Sequence, residues 1–471
     1  MGAGPIIHPD LLFPVEAQAR DVARALYGAV AGLPIVSPHG HTDPRWYALD
    51  EPFPDPAQLL IVPDHYIFRM LFSQGVPLDE LGVPRLDGAP AEADGRKIWR
   101  RFAENYFLFR GTPTRLWMDY VLSELFGVEE PLSTETADRA YDRVAERLEE
   151  PAYRPRSLYQ RFNIEVIATT EGALDDLRWH QIIRDSGWNG RVVTAYRPDA
   201  VVDPEFEGFS ENLDRLGEIT GCDTGGWAGY LDAHRQRRSF FKAFGATSSD
   251  HGHRTADTAN LSQADAAALF GRVRRGRADP RDAALFRAQM LTEMARMSLD
   301  DGLVLQIHPG SWRNHSPAVT ARFGRDKGFD IPTRTDYVAA LKPLLDAVGL
   351  EPALTVILFT LDESSYAREL APLAGVYPAL RLGPAWWFHD SPEGMRRFRE
   401  MTTETAGFYN TVGFTDDTRA FSSIPARHDL ARRVDCAFLA RLVTEYRLRE
   451  DEAHELAHEL AYGLAKKAYR L

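Results

Sequence analysis

The chain has 471 residues, a formal net charge of −13, and 44% hydrophobic and 26% charged residues. That length buries a large core, and the ordinary composition excludes low-complexity disorder. The acidic balance, with no long Lys/Arg run, argues against nucleic-acid and anionic-membrane partners. An anionic small molecule would have to be held by individual arginines inside a pocket.

Short apolar runs alternate with helical patterns along the chain. Eight runs read as strands: Leu33 to Ser37, Ile164 to Thr169, Arg191 to Tyr196, Ala243 to Ser248, Leu303 to Ile307, Leu354 to Thr360, Ala379 to Trp387 and Thr411 to Thr415. Most are apolar throughout, as strands buried on both faces are. Helical patterns at Leu174 to Asp185, Arg281 to Ser298, Thr335 to Val348 and Glu393 to Thr405 separate them. Alternation of this kind predicts βαβ units and a parallel sheet. An open doubly wound sheet would share it, but the count favours an α/β fold of the (β/α)₈ TIM-like barrel type with a large α-helical insertion after strand 1.

That insertion is expected at 52–155, with helices at Arg96 to Phe109, Thr114 to Phe126 and Thr134 to Leu148. The barrel is assigned to 1–51 and 156–471, with a second insertion near Gly252 to Pro280 and terminal helices at Ala426 to Tyr446 and Asp451 to Lys467. Met1 to Asp10 shows no secretory leader, Gly2 lacks a myristoylation context because Ile6 stands where Ser or Thr is needed, and no apolar run is long enough to span a membrane. Two cysteines, Cys222 and Cys436, form no CxxC motif and fit a reducing cytoplasm.

Polar residues cluster where strands end, which is where barrel enzymes place their chemistry. After the first strand come His39-Gly40-His41. Residues i and i+2 of an extended segment share a face, so the two imidazoles can share a metal, although two surface histidines would look the same. Asp417 after the last strand can complete a His₂Asp site with an open position. Asp416 is the alternative carboxylate, and helix capping or a salt bridge the alternative role. His251-Gly252-His253 is a rival pair, with His253 read as part of a solvated loop. Strand four ends without the Lys that bridges two metals in related barrels, so the sequence points to one metal. His65-Tyr66 opens a helix of the insertion and offers two proton carriers, or merely a first turn with a half-buried aromatic. Arg197 is a candidate carboxylate clamp or an Arg–Asp pair within its loop. His308 and Arg313 repeat the theme at strand five, Arg419 at strand eight, and Trp386 offers an apolar wall. No GxSxG elbow, Walker A loop or GxGxxG follows a strand.

At these residues, from Pro34 to about Arg433, the chain resembles the uronate (glucuronate) isomerase family of the amidohydrolase superfamily. The carrying segments are His39-Gly40-His41, Pro63-Asp64-His65-Tyr66, Ala168-Thr169-Thr170-Glu171, Tyr196-Arg197-Pro198-Asp199, Ser249-Asp250-His251, His308-Pro309-Gly310 with Arg313-Asn314, Ala385-Trp386-Trp387-Phe388, and Asp417-Thr418-Arg419 with Arg427-His428. The resemblance implies a distorted barrel and a mononuclear site, usually zinc, on His39, His41 and Asp417. It implies conversion of D-glucuronate to D-fructuronate and of D-galacturonate to D-tagaturonate. His65, Tyr66, Arg197 and Arg419 match positions that handle substrate or protons. A hexuronate is the expected partner, with the chain as a cytoplasmic homo-oligomer. The rival activity for the same ligands is a mononuclear metal-dependent hydrolase or lactonase, and a further reading is a non-catalytic sugar-acid binder.

Overall fold

The computed structural model describes residues 6–471. Met1–Pro5, including Gly2 and half of the stretch read for a leader, lie outside the described residues. The strands are β1 (Ile35–Ser37), β2 (Ile164–Gly172), β3 (Val192–Arg197), β4 (Ser248–His251), β5 (Val304–Ile307), β6 (Ser311–Trp312), β7 (Ile331–Pro332), β8 (Val356–Leu358) and β9 (Leu380–Leu382). Seven of them pair in the order β1-β2-β3-β4-β5-β8-β9, every pair parallel, while β6 and β7 form a small antiparallel ribbon after β5. This is a curled parallel sheet of the TIM-like barrel type, as the alternation predicts.

Its eighth position departs from expectation. Thr411 makes one isolated parallel bridge to Leu382, and no strand forms over Thr411 to Thr415. Gly413 sits at φ +74°, and a Cβ there would lie 2.9 Å from the Leu460 carbonyl. The close approach of the C-terminal helix thus breaks the extended run. The segment still closes the ring, because the His41 N–H donates to the Thr418 carbonyl at 2.9 Å.

Strand four is displaced from Ala243–Ser248 to Ser248–His251. The helix Trp227–Ala243 takes the first residue of the run, Phe244 caps it, and Gly245 turns the chain at φ +90°. β4 is therefore polar in sequence yet buried throughout. The seventh run ends early, at Leu382, because Gly383 passes against the Phe359 ring. The helices at 178–185, 280–301, 338–348 and 392–406 fall on the expected patterns. Residues 44–161 are helices, short 3₁₀ or π turns and loops. Among the described residues no helix is long and apolar enough to cross a membrane.

Side chains alternate across the strands. Leu305, Ile307, Val356 and Leu358 face the helical layer. Val304 and Ile357 pack instead with Val412 and Tyr469, and Val36, Val166, Ala168 and Val193 pack with Ala465. The C-terminal helix, Leu464–Tyr469, thus fills the barrel interior from one end. The Tyr469 hydroxyl donates to Gln306 Oε1 at 2.7 Å. Replacing Tyr469 with Ala should cost about 3–5 kcal/mol, the usual range for removing a large buried aromatic, read as a lower urea midpoint with little change in m.

Two histidines buried away from the active centre add a pH dependence. His234 accepts or donates a 2.7 Å hydrogen bond with the Tyr196 hydroxyl, and burial lowers its pKa to about 3. His180 faces Thr169, and burial lowers it to about 4. The unfolded chain takes up these protons near pH 6.5 and the folded chain only far below. Protonation therefore favours unfolding across that window. Resistance to urea should fall as pH drops from about 6.5 towards 4, with proton uptake on unfolding.

Candidate active site

A pocket opens where the parallel strands end. It is lined by the first-strand histidines, by Pro63–Tyr66 of the helical segment, and by residues following the later strands. The Asp64 carboxylate accepts from the Tyr66 and Ile67 backbone N–H groups, which starts the helix at His65 and turns its first residues to the pocket.

His39 and His41 follow β1 with their rings edge to face, centroids 5.2 Å apart. Both Nε2 atoms point at one oxygen: His39 Nε2 lies 3.5 Å and His41 Nε2 3.3 Å from Asp417 Oδ1. That oxygen is buried without a hydrogen-bond partner of good geometry. Three ligand atoms converging on one point is the arrangement a divalent cation resolves. The other Asp417 oxygen accepts from the Trp386 indole N–H. Burial alone would raise the Asp417 carboxyl; contact with His41, the charge of His39 and the indole outweigh it and hold Asp417 below the usual carboxylate range. Burial also lowers His41 to about 4, leaving its lone pair free. Asp416 turns elsewhere, to His428 Nε2 at 3.1 Å, so geometry selects Asp417 as the third donor. The residues present fit a single metal.

Behind His39, Thr170 Oγ1 and Gln306 Nε2 lie 3.5 and 3.3 Å from Nδ1. A cation on Nε2 makes Nδ1 the protonated nitrogen, so the Gln306 amide then presents its oxygen, the two ends of an amide being interchangeable by a flip.

Arg197 is engaged rather than free. Its Nε donates to Asp250 Oδ2 at 2.6 Å and its Nη2 sits 3.1 Å from His308 Nε2. His308 Nε2 is also 2.9 Å from Asp250 Oδ1. Burial would raise Asp250, but Arg197 and His308 hold it well below the ordinary range. Arg313 pairs with Asp330 at 3.1 Å. Arg419 lines the same pocket and makes no ion pair among the described residues. With Arg427, which pairs with Asp390, four guanidiniums thus line one cavity, and of these Arg419 alone makes no ion pair among the described residues.

His65 lines the cavity, and burial followed by the charge of Arg419 lowers it to about 3, so its imidazole is neutral. Gly328, at φ +81°, allows the 326–330 loop to lie against it; a Cβ there would be 2.9 Å from His65 Cβ. The Tyr66 hydroxyl donates to Asp390 Oδ1 at 2.6 Å and accepts from the Phe388 N–H at 3.0 Å. Burial and the Asp390 charge raise Tyr66 well above 10. Arg427 Nη1 holds the other Asp390 oxygen at 2.9 Å. Trp386 reaches the site with its N–H as well as its face, and its ring packs edge-on to His308 at 5.1 Å.

All ten site residues singled out in sequence line or abut this pocket. Asp250, Gln306 and Asp390 were not singled out as site residues. Asp250 carried a signal, a carboxylate ending a strand beside His251. Gln306 and Asp390 carried none. The reading of His253 as solvated is corrected: it is 5% exposed.

Fold and site define a parallel α/β barrel whose strand ends bring two histidines and an aspartate together as a group that could hold a metal ion. The profile of the family described as glucuronate isomerase matches residues 16–469. A protein of Mesorhizobium japonicum named uronate isomerase is 82% identical over 463 residues, covering 98% of this chain and 99% of its own. Another so named, from Rhizobium meliloti, is 78% identical, covering 99% of each. The crystal structure of glucuronate isomerase from Caulobacter crescentus superposes with a TM-score of 0.97 at 59% identity, covering 99% of this chain and 98% of that one. The chain belongs to the glucuronate isomerase family, and uronate isomerisation is the activity that family and relatives support. The hydrolase alternative is not favoured.

Loss of an outer partner loosens metal sites by about 10–100-fold. Gln306→Leu should weaken zinc binding by that factor in a competition titration with a chelator, with little change in the pocket's charge.

Proposed function

We propose that the pocket interconverts hexuronates, D-glucuronate with D-fructuronate and D-galacturonate with D-tagaturonate, by moving a proton between C2 and C1. The observation that carries this is the convergence of His39, His41 and Asp417 beside an uncommitted Arg419 in a pocket that also holds Arg197 and Arg313. We assign a single zinc ion to the three donors. When bound, a divalent cation supplies positive charge that lowers the cost of ionising the C–H bond next to the carbonyl.

The chain's own residues do the rest. His65, kept neutral by burial and by Arg419, has a lone pair available at the pocket and acts as the proton acceptor. Tyr66 keeps its proton on Asp390, which Arg427 holds, so its oxygen faces the pocket as a hydrogen-bond acceptor and its proton can be passed on only through rearrangement of the Asp390 contact. Arg419 places positive charge beside the reacting oxygens. Arg197, with its geometry fixed by Asp250, and Arg313 hold the remote carboxylate, with His308 beside them. Trp386 orients Asp417 and offers its face to the carbon chain. We read 52–155 as a helical subdomain that contributes Pro63–Tyr66 to the wall, and 1–51 with 156–471, of which 6–51 and 156–471 are described, as the barrel. The same reading makes the chain a cytoplasmic homo-oligomer; the free thiols of Cys222 and Cys436 support a reducing compartment.

NMR of the metal-loaded protein with each uronate in deuterated water should show ketose formation, with solvent deuterium entering at C1. Absence of any ketose from either sugar would refute the reading. His39→Ala should lose the ion held by His39, His41 and Asp417 together with turnover, whereas His65→Asn should keep that ion and lose about 10²–10⁴ in kcat.

A further inference from the structure

A second convergence of metal-type donors lies outside the pocket's reacting centre. It is built from His251 and His253, at and after the end of β4, and Asp199, just after β3. One ligand atom from each lies within 4.8 Å of the others. The local design repeats the first site. There, His39-Gly40-His41 ends one strand and Asp417 comes from the neighbouring segment. Here, His251-Gly252-His253 ends β4 and Asp199 comes from β3, its neighbour in the sheet. The ring pairs match as well, edge to face with centroids 5.8 Å apart against 5.2 Å at the first site.

The hydrogen bonding points to a missing partner. Among the described residues neither ring nitrogen of His253 has a hydrogen-bond partner, although the residue is only 5% exposed. His251 is wholly buried; its Nε2 meets Ser249 Oγ at 3.2 Å and its Nδ1 meets nothing. Leaving both nitrogens of a buried imidazole unpaired is costly, so a partner is expected to satisfy them. Asp199 supplies the charge: its carboxylate takes a single backbone donor, the Gly252 N–H, at 3.2 Å to each oxygen. Neighbouring guanidiniums are committed elsewhere: Arg287 to Asp203 and Glu205, Arg197 to Asp250 and Arg313 to Asp330.

We infer that Asp199, His251 and His253 form a second metal site, for a divalent first-row transition ion of the zinc class. Two imidazoles and one carboxylate are donors of that class, not of calcium or magnesium. Donors on a tetrahedral zinc lie about 3.4 Å apart, so small rotations of the two rings close the site. It is not the bridged partner of the first metal, because it shares no donor with it. Its role is structural. The His251 carbonyl accepts the His308 N–H at 3.1 Å. A Cβ on Gly252 would lie 2.9 Å from the His308 ring and 3.4 Å from the Arg313 guanidinium. An ion tying β3 to the residues either side of Gly252 therefore stiffens the wall that carries His308 and Arg313.

The test is metal stoichiometry of the full chain. Protein stripped with chelator, reloaded with excess zinc and desalted is measured by inductively coupled plasma mass spectrometry. The wild type should hold about two ions per chain. His253→Gln and Asp199→Asn should each hold one, the latter keeping an oxygen for the Gly252 N–H and hence its fold. His39→Ala should also hold one, which separates failure of this site from failure of the first. A wild type holding one ion, or either His253→Gln or Asp199→Asn still holding two, overturns the inference.

Discussion

The backbone hydrogen bond from the His41 N–H to the Thr418 carbonyl joins the two ends of the barrel. The eighth position makes only one bridge on its other side, so closure of the ring rests on few bonds. Yet closure is what brings the metal donors together, since two come from the first strand's end and the third from near the last. Asp417 sits at φ +43°, a conformation disfavoured for a residue with a side chain. The backbone turn there delivers one carboxylate oxygen to the histidines and the other to Trp386. Asp416, in ordinary backbone conformation one residue earlier, faces His428.

The same ring must be filled. Short strands with small inward residues such as Ala168 leave room in the interior, and the C-terminal helix occupies it. Tyr469 therefore does two things at once. Its ring packs on Val304, Ile357 and Val412, and its hydroxyl meets Gln306, which in turn meets His39. Core packing and metal geometry are coupled through one buried amide. This explains why a glutamine stands at an inward position of an otherwise apolar strand, where an unpartnered amide would be costly.

Much of this was legible in the residues, and the exceptions have physical reasons. Apolar runs revealed strands buried on both faces, and polar residues at their ends revealed the pocket. β4 escaped because its side chains are matched to one another by charge and hydrogen bonding rather than by apolar packing: Asp250 is buried because Arg197 and His308 neutralise it. A hydropathy pattern sees only four polar residues. The 411–415 segment had a strand's composition, but its geometry is set by the passing C-terminal helix at Gly413, a contact between distant parts of the chain. Tyr66 and Asp390 are brought together by tertiary folding alone, so no spacing announces the pair. His253 looked solvated because a loop sequence rich in polar residues is usually outside.

Charge shows the same separation between global and local. The chain as a whole is acidic, at −13. The pocket nevertheless gathers Arg197, Arg313 and Arg419. Two of these are matched to Asp250 and Asp330, so gathering them costs little in mutual repulsion, and each keeps its orientation when the pocket is empty. The pairing also limits what they give to a substrate, because a guanidinium shared with a carboxylate offers fewer donors and less field. Arg419 is different: among the described residues it makes no ion pair, and its charge adds to burial in depressing the neighbouring His65. An anion entering the pocket gains most from the guanidinium that has nothing to lose. A substrate carrying its charge at one end and a carbonyl at the other would, on the proposed function, be positioned by the paired arginines and polarised by Arg419. The global negative charge does not prevent this, because at physiological ionic strength it is screened beyond about 8 Å while the pocket arginines act at contact.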